Sequence, residues 1–522
     1  MSVGNGSAGT DESALHAIQQ AAKAGDVPRA AQLADEALRA GSMHPLLLNL
    51  SAVHLESQGR IEEAVSRLEA ALRLTPRDPA VRNALAIDLG LLERWEASLA
   101  NAEAAVELKP EFAAAHVNRG RALWALGRQA PAEASFRRAL QLQPGNLMAL
   151  AGLASVELRK GVLAEARRLA AQVLQAEPLF PDSVAVLAAA DIAESKPADA
   201  EKRLKALLAD ARLAAPDRAL DRAAAQGLLA DALDARDQTK EAFAAYEAAG
   251  ETLRAHYAKA YGAGLALKAA RAHAKYFETS PAWGPRKPAQ TRPAAGHVFV
   301  IGFPGASRAD IVLGRHPLVE RLSDQDLFRD FAGGADMERL AFAADAELQP
   351  ARDAYWARAR SAGASLEGKV FLDDDPLNTT RLPLIAALFP DAKVLFARRD
   401  PRDCVLAAFR RRQRIGPAAY ELLTLQGAAD FFVAAMELAL RAGEKLGVRS
   451  HAMTFEALVA DPVKEAKAVC AYIGLDWNDA PQTPANTRLD KPGAWKRYKA
   501  EMSPVLDMLR PWVERFGYKN EG

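Results

Sequence analysis

The chain has few cysteines, almost no net charge and no long hydrophobic run, and each absence excludes a class of protein. Its two cysteines, Cys404 and Cys470, are too few for a disulfide framework or a thiolate metal site. No apolar run reaches the ~18 residues of a membrane span, and the start, MSVGNGSAGTDES, lacks the features of a signal peptide. The formal net charge of +1 argues against general nucleic-acid binding. We therefore expect a cytoplasmic protein with neither nucleic acid nor membrane as partner.

Prolines, glycines and small residues recur at one fixed period in the first half of the chain. Pro76, Pro110, Pro144 and Pro178 lie 34 residues apart. That period is typical of tetratricopeptide repeats, whose units are pairs of antiparallel helices. Two further sets of residues keep the same period. One is a set of small residues, which we call the alanine set: Ala30, Ala64, Ser98, Ala132, Ala166 and Ala200. The other, the turn set, consists of Gly25, Gly59, Glu93, Gly127 and Gly161.

The repeated residues have distinct structural roles in a helical pair. A small side chain is needed where two helices cross closely, and glycine suits a left-handed turn that ends the first helix. We expect an α solenoid over residues 11–265, after a disordered stretch at 1–10. The first helices of such arrays line a concave groove that commonly binds peptide. The alternatives are that the array only packs on the next domain or forms a homodimer.

The pattern changes class after a proline-rich linker, which we place with the preceding helix end at 266–296. From 297 to 519, buried apolar stretches such as HVFVIGF, KVFLDDDP and AKVLFARRDP alternate with helical stretches. This alternation predicts an α/β domain with a parallel sheet. Ligands of such sheets bind at the carboxyl ends of the strands. The strand-end clusters at 302–310, 373–380 and 398–403 are therefore the places to expect chemistry.

The strongest candidate for anion binding is the arginine-rich segment ARRDPRDCVLAAFRRRQR. Arg399 follows a predicted strand directly, and Arg402 opens a helix whose N-terminus favours anions. A guanidinium at that place suits a planar grip on phosphate. For the later arginines of the segment we favour a solvated helix face: Arg410, Arg411, Arg412 and Arg414.

These segments resemble a known family. PDAKVLFARRDPRDCVLAAF resembles the 3′-phosphate-binding segment of sulfotransferases that use the sulfate donor 3′-phosphoadenosine 5′-phosphosulfate (PAPS). DDDPLNTTRLPLIAALFP, TFEALVADPVKEAKAVCAYIGLDW and PGAWKRYKAEMSPVLDML are similar to further segments of that family, in the same order. The combination with repeats is similar to bacterial proteins whose sulfotransferase domain is related to protein-tyrosine sulfotransferases. The resemblance implies a P-loop-like domain that transfers a sulfuryl group to a hydroxyl, with tyrosine of a polypeptide in the repeat groove as one acceptor.

The resemblance also implies a set of donor-binding residues. The loop HVFVIGFPGASRAD resembles the cradle of the 5′-phosphosulfate, and Arg399 stands where the family has its 3′-phosphate arginine. A terminal segment of the family covers the nucleotide. The implied donor-binding residues are Gly302, Pro304, Ser307, Arg308, Arg399, Arg488, Trp495, Lys496 and Arg497.

A carboxylate is implied as the proton acceptor. Asp324, with Asp326 as its neighbour, stands where the family has its catalytic glutamate, and a carboxylate there could accept the proton of an attacking hydroxyl. A solvated loop aspartate is the alternative. The run Asp373, Asp374, Asp375 does not predict a metal site, because consecutive carboxylates on an extended chain do not point the same way. The family needs no metal for this transfer, and the chain lacks the G-x-x-x-x-G-K-[ST] string of nucleotide kinases.

The chain departs from the family pattern at several donor-site positions. The family continues its loop with R-S-G-T, whereas this chain has GASR at 305–308; Asp374 replaces a lysine and Ala407 a serine. Each lost charge-assisted hydrogen bond costs roughly 1.5–3 kcal/mol. Two losses would weaken donor binding by roughly a hundredfold. A non-catalytic scaffold with a degenerate sulfotransferase domain is therefore the rival hypothesis to an enzyme.

Overall fold

A computed structural model describes most of the chain as two compact units, Met1–Glu194 and Ser195–Gly522. The predicted disordered start, 1–10, and residues 285 and 287–292 of the predicted linker lie outside the described residues. None of the helices that the structure describes is both long and apolar enough to span a bilayer. The described residues are 15–21, 23–284, 286, 293–308, 312–314, 316–323, 325–329, 331, 336–411, 414–477 and 491–520.

The first unit consists of α-helices of similar length that pack on one another in sequence order. This arrangement confirms the predicted helical repeat. The helices are α1 (Val27–Arg39), α2 (Pro45–Ser57), α3 (Ile61–Leu74), α4 (Pro79–Leu91), α5 (Trp95–Leu108), α6 (Ala113–Ala125), α7 (Gln129–Leu142), α8 (Leu147–Arg159), α9 (Leu163–Ala176) and α10 (Pro181–Ala193).

The repeated small residues and turn residues have the positions that the period predicts. The alanines of the alanine set are 0% exposed, and Ser98, which takes the same slot, is 2% exposed and donates its hydroxyl to the Ala86 carbonyl at 2.7 Å. The turn set has left-handed backbone even at Glu93, where no glycine is present. The φ angles are +75° at Gly25, +72° at Gly59, +54° at Glu93, +75° at Gly127 and +79° at Gly161.

Four helices open the second unit, and the last three share one apolar core with the sheet domain that follows them. The Phe243 ring contacts that of Phe409 with ring centroids 5.2 Å apart, and the helix Leu265–Thr279 packs on the long helix Leu425–Lys445. Residues that we assign to the repeats by sequence therefore pack with the α/β domain. The predicted domain limits stay predictions. The four helices are α11 (Pro197–Leu208), α12 (Ala219–Ala235), α13 (Thr239–Tyr261) and α14 (Leu265–Thr279).

Asp234 at the end of α12 is the centre of an ionic cluster with the α/β domain. Its carboxylate lies 2.7 Å from Arg410 and 2.8 Å from Arg497, and it accepts the Tyr498 hydroxyl at 2.6 Å. Burial opposes ionisation, but the two guanidiniums and the hydroxyl hold the pKa of Asp234 below its ordinary value. The charged form of Asp234 therefore stabilises the fold.

We expect Asp234→Asn to lower the free energy of unfolding by about 3 kcal/mol at pH 7, because it breaks a largely buried ion pair. A depressed pKa means that this stability is present above the unfolded pKa of about 4 and is lost as pH falls below it. Urea denaturation at pH 7 and at pH 3 measures both effects. The control is Asp237→Asn. Asp237 also forms an ion pair with Arg497, but its side chain is 83% exposed, so the loss of this pair should cost little. Equal losses for both variants at pH 7 would contradict the prediction.

The α/β domain is built on a parallel sheet. Its strands are β1 (Gly296–Ile301), β2 (Val319–Ser323), β3 (Val370–Asp374), β4 (Lys393–Arg398) and β5 (Ser450–Thr454). Within the described residues their order is β2-β3-β1-β4-β5, and every neighbouring pair is parallel. This confirms the predicted α/β class. Because β3, β1 and β4 are adjacent, the three polar strand-end clusters meet at one edge.

Helices cover this sheet and carry the chain between its strands. The central strands β1, β3 and β4 are almost wholly buried, as the apolar stretches predict. The helices are α15 (Met337–Phe342), α16 (Asp345–Ser361), α17 (Leu382–Leu388), α18 (Pro401–Arg410), α19 (Pro417–Glu421), α20 (Leu425–Lys445), α21 (Phe455–Ala460), α22 (Pro462–Ile473) and α23 (Ser503–Arg515), with a 3₁₀ turn at Ala494–Tyr498.

Candidate functional site

A cavity of about 390 Å³ opens at the carboxyl ends of the central strands. This is the edge where open parallel sheets bind their ligands. Arginines and aspartates contribute most of its charged groups. The lining residues are Val300, Ile301, Gly302, Phe303, Pro304, Gly305, Ser307, Arg308, Arg321, Asp374, Asp375, Pro376, Arg399, Ala407, Arg411 and Phe455.

The loop after β1 is held against its neighbours by close contacts that require glycine. Gly302 has φ +148°, and a Cβ there would lie 2.6 Å from the Ala397 carbonyl oxygen. Its amide donates to Thr379 Oγ1 at 2.7 Å, and that hydroxyl donates to the Gly302 carbonyl. Gly305 has φ +90°, and a Cβ there would lie 2.8 Å from the Ala407 Cβ. Two of the departures noted in the sequence, at 305 and 407, therefore face each other across a space too small for a side chain at 305.

Arg399 is fixed at the cavity wall by contacts on several sides. It is 3% exposed, and its Nη1 donates to the Gly305 carbonyl at 3.1 Å. Its guanidinium lies 4.2 Å from the centre of the Phe455 ring, and its Nε lies 3.9 Å from Asp403. The next helix, α18, begins two residues later with Asp400 as its N-cap. A buried cation next to a helix N-terminus is suited to bind an anion.

The carboxylate of Asp374 lies between a hydroxyl and a guanidinium. Its Oδ1 accepts from Ser307 Oγ at 2.9 Å, and its Oδ2 accepts from Arg321 Nη2 at 2.9 Å and Nε at 3.3 Å. The sequence shows only the loss of a lysine at 374. The structure adds an arginine from β2 at the same place, so the cavity keeps a cation there.

The other two aspartates of the run have separate environments. Asp373 is fully buried and accepts from the Tyr355 hydroxyl at 2.7 Å; burial raises its pKa, although bonds from Asn378 and Tyr355 oppose the shift. Asp375 lines the cavity and accepts from the Leu377 amide at 2.7 Å. The run thus supplies three carboxyls with three different partners.

Asp375 is a cavity carboxyl with a strongly raised pKa. Burial raises its pKa to about 7, against the attraction of Arg381, and the Asp373 and Asp326 carboxylates push in the same direction as burial. The Asp375 Oδ1 lies 3.5 Å from Arg381 Nη1. A carboxyl that exchanges its proton near neutral pH is suited to general acid–base chemistry. In the part of the chain that the structure describes, no three histidine, cysteine, aspartate or glutamate side chains are grouped to hold a metal ion.

Comparison with known families agrees with this geometry. Residues 305–479 match the model of the Sulfotransferase family, and residues 16–79 and 83–146 match that of the Tetratricopeptide repeat. The chain joins tetratricopeptide repeats to a sulfotransferase-family domain. No curated protein sequence matches it.

Solved structures similar to this chain include two tetratricopeptide repeat proteins and MamA. One from Parabacteroides merdae is 19% identical, with a TM-score of 0.37 over 46% of this chain and 92% of its own. A thermophilic one from Thermus thermophilus is 20% identical, with a TM-score of 0.30 over 38% and 98%. MamA from Desulfovibrio magneticus is 19% identical, with a TM-score of 0.29 over 34% and 98%.

The cavity of the sulfotransferase-family domain gathers part of the sequence-predicted donor site. Asp324 and Arg488 lie outside the described residues. Trp495 is 1% exposed, with its amide donating to Asp403 at 2.8 Å. Lys496 is exposed, and Arg497 pairs with Asp234 and Asp237. Among the described lining residues, five come from that prediction: Gly302, Pro304, Ser307, Arg308 and Arg399.

Three lining residues of the cavity were not predicted from the sequence to belong to the site. Arg321 belongs to β2, a strand that we did not predict. Arg411 lines the cavity, although we interpreted it as part of a solvated helix face. Phe455 follows β5 and contributes its ring beneath Arg399. Its position after the T of TFEAL could have marked it as a strand-end residue, whereas no sequence signal points to Arg321.

Proposed function

We propose that the sulfotransferase-family domain transfers a sulfuryl group from PAPS to a hydroxyl acceptor. The observation that carries the proposal is the charge of the cavity: Arg308, Arg321, Arg399 and Arg411 line it together with Asp374 and Asp375. The arginines outnumber the aspartates, as binding of a donor with several negative charges requires. Each guanidinium can also bind a phosphate group through two parallel hydrogen bonds. The volume of about 390 Å³ is in the range of nucleotide-sized sites.

In this proposal the two ends of the donor have different binding groups. Arg399, buried beside the N-terminus of α18, grips the 3′-phosphate. The loop at 302–308 holds the 5′-phosphosulfate, and its closeness to both flanking strands supports a preformed cradle. Arg488, Trp495, Lys496 and Arg497 stay predicted contacts of the terminal segment.

The proposed reaction is a single displacement at sulfur. The oxygen of the acceptor hydroxyl forms the new S–O bond, while the bond from sulfur to the bridging phosphate oxygen breaks. The electron pair of that bond leaves with adenosine 3′,5′-bisphosphate (PAP), and the hydroxyl proton passes to a carboxylate. The family resemblance assigns that carboxylate to Asp324; the cavity position of Asp375 supports Asp375 as the acceptor of the proton. Cationic groups around the leaving phosphate lower the energy of the transition state.

The proposed acceptor is a polypeptide, with tyrosine as one candidate, held by the repeat unit. Support comes from the repeats themselves, since arrays of this kind commonly bind peptide segments. A homodimer through the repeats and a cytoplasmic location stay predictions from the sequence. The rival function, a non-catalytic scaffold, is favoured by one observation: Asp374 places a negative charge in the cavity.

Calorimetry with PAP separates the enzyme from the scaffold. We expect the full chain to bind PAP with a dissociation constant in the micromolar range, which corresponds to a binding free energy on the order of −8 kcal/mol. The binding should weaken as salt increases, because it depends on ion pairs. Adenosine serves as the control ligand and should give no measurable heat. No heat from PAP at millimolar concentration would contradict the proposal and leave the scaffold.

A further inference from the structure

Side chains from three separate segments meet in the cavity, two of them as hydrogen-bond donors to the carboxylate of the third. Ser307 comes from the loop after β1, Arg321 from β2, and Asp374 from the end of β3. Both oxygens of Asp374 accept a hydrogen bond, from the hydroxyl at 2.9 Å and from the guanidinium at 2.9 Å. An internal anion thus lies between donors that face a cavity.

The donors around Asp374 are of the kind that bind phosphate or sulfate. A guanidinium offers a planar fork of N–H groups to a tetrahedral oxyanion as readily as to a carboxylate, and a hydroxyl can donate to either. The ion pair is partly shielded, because the Arg321 side chain is 27% exposed and that of Asp374 10%. The donors are therefore held in place but remain reachable from the cavity.

The charge of Asp374 has two opposite effects on an incoming anion. Its carboxylate orients Arg321 and Ser307, so that little side-chain freedom is lost when a ligand binds. It also repels the ligand, and Asp374 must give up its hydrogen bonds from Ser307 and Arg321 before these donors can turn to another oxyanion. The second effect dominates for a ligand with several negative charges, because each charge adds to the repulsion.

We propose that Arg321 and Ser307 bind the 5′-phosphosulfate end of the donor, and that Asp374 is an internal competitor that occupies them until the nucleotide displaces it. This inference rests on the proposed function and adds to it a specificity-determining pair. Arg321 of the neighbouring strand then takes the role of the lysine that the family pattern has at position 374. The Asp374 carboxylate makes the affinity for the donor weaker than it would be without that charge.

Calorimetry with PAP, adenosine 5′-monophosphate and adenosine 3′-monophosphate tests this assignment on the full chain. We expect Asp374→Asn to tighten the two 5′-phosphorylated ligands by roughly tenfold and Arg321→Gln to weaken them by roughly tenfold. Neither variant should change the affinity for adenosine 3′-monophosphate, which lacks a group at the 5′ position. Ser307→Ala should weaken the same two ligands by a smaller factor.

The matched control is a second ion pair, between a residue of β2 and the residue that precedes β3. Lys369 Nζ lies 2.7 Å from Glu320, and neither residue is among the described residues that line the cavity. Glu320→Gln and Lys369→Met should leave all three affinities unchanged. Thermal denaturation checks that each variant is folded; if Asp374→Asn does not fold, Asp374→Lys, which supplies the lysine of the family pattern, takes its place with the same expected gain.

The outcomes distinguish this inference from the proposed function. If Asp374→Asn weakens the 5′-phosphorylated ligands as Arg321→Gln does, Asp374 is a structural partner and not a competitor. If the wild-type chain binds PAP but the variants at 321 and 374 leave its affinity unchanged, the inference is wrong and the proposed function stands. If neither the wild-type chain nor either variant at 374 binds PAP, both are wrong. If Asp374→Asn binds PAP and the wild-type chain gives no heat with it, Asp374 is confirmed as a competitor and the proposed function of the wild-type chain is wrong.

Discussion

Arg399→Ala is expected to weaken PAP binding by a hundredfold or more. Arg399 is almost fully buried at the cavity wall, with its guanidinium held by the Gly305 carbonyl and the Phe455 ring. A charge-assisted hydrogen bond contributes roughly 1.5–3 kcal/mol, and a guanidinium that grips a phosphate makes two of them. Loss of both removes at least ~3 kcal/mol, which is about a hundredfold in affinity. Calorimetry with PAP at fixed salt measures the change.

Arg398→Ala is the matched control for Arg399. Arg398 is the preceding residue, and its guanidinium packs on Phe396 and Phe516. We expect its removal to change PAP affinity less than threefold. Arg399→Lys keeps the charge but not the planar fork, so an intermediate loss is expected. Equal losses in Arg398→Ala and Arg399→Ala would assign the effect to general destabilisation and contradict the anion-binding role of Arg399.

Asp375→Asn is expected to lower kcat by about a hundredfold or more, the usual range for loss of a general base. The wild-type rate should rise with pH through about 7, where Asp375 loses its proton, and then level off. The rate of Asp375→Asn should lack that rise. Transfer of label from radiolabelled PAPS to a phenolic acceptor, measured from pH 5.5 to 9, tests both statements.

Asp324→Asn is the comparison that decides between the two candidate bases. If Asp375→Asn keeps the wild-type rate and its pH dependence while Asp324→Asn loses both, the base is Asp324, as the family resemblance implies.

The stability of Asp375→Asn tests the raised pKa of Asp375 independently of the reaction. A raised pKa means that the native state favours the neutral acid, so the contribution of Asp375 to stability is largest below pH ~4 and is lost as pH rises through about 7. The variant should therefore be more stable than wild type at pH 8 and similar to it at pH 4 by urea denaturation.

The sequence predicts the parts of the fold that depend on local pattern. The 34-residue period and its left-handed turns follow from backbone geometry, and even Glu93 takes the turn conformation that its place in the period requires. The strands β1, β3 and β4 are buried apolar stretches, which a single sequence reveals. The edge strands β2 and β5, VERLS and SHAMT, are too polar to stand out, because the edge of a sheet is partly open to water.

The candidate site is predictable only where it follows from strand ends. Arg399 and the loop at 302–308 come directly after buried strands, so the topology of a parallel sheet brings them together. Arg321 lies inside an unpredicted strand, and its pairing with Asp374 depends on the register of β2 and β3. The burial of Trp495 also depends on tertiary packing. A local sequence pattern does not predict which charged residues of distant segments will form an ion pair.

The shared core of the second unit sets a lower limit on any separately produced catalytic fragment. Phe243 and Tyr246 of α13 and Phe277 of α14 belong to the same apolar cluster as the sheet residues. Truncation at the proline-rich segment would strip these rings from their partners and expose the faces that they cover to solvent, where such faces promote aggregation. A piece that begins near Ser195, about a hundred residues before the first strand, keeps the whole second unit and is expected to stay soluble with an intact cavity.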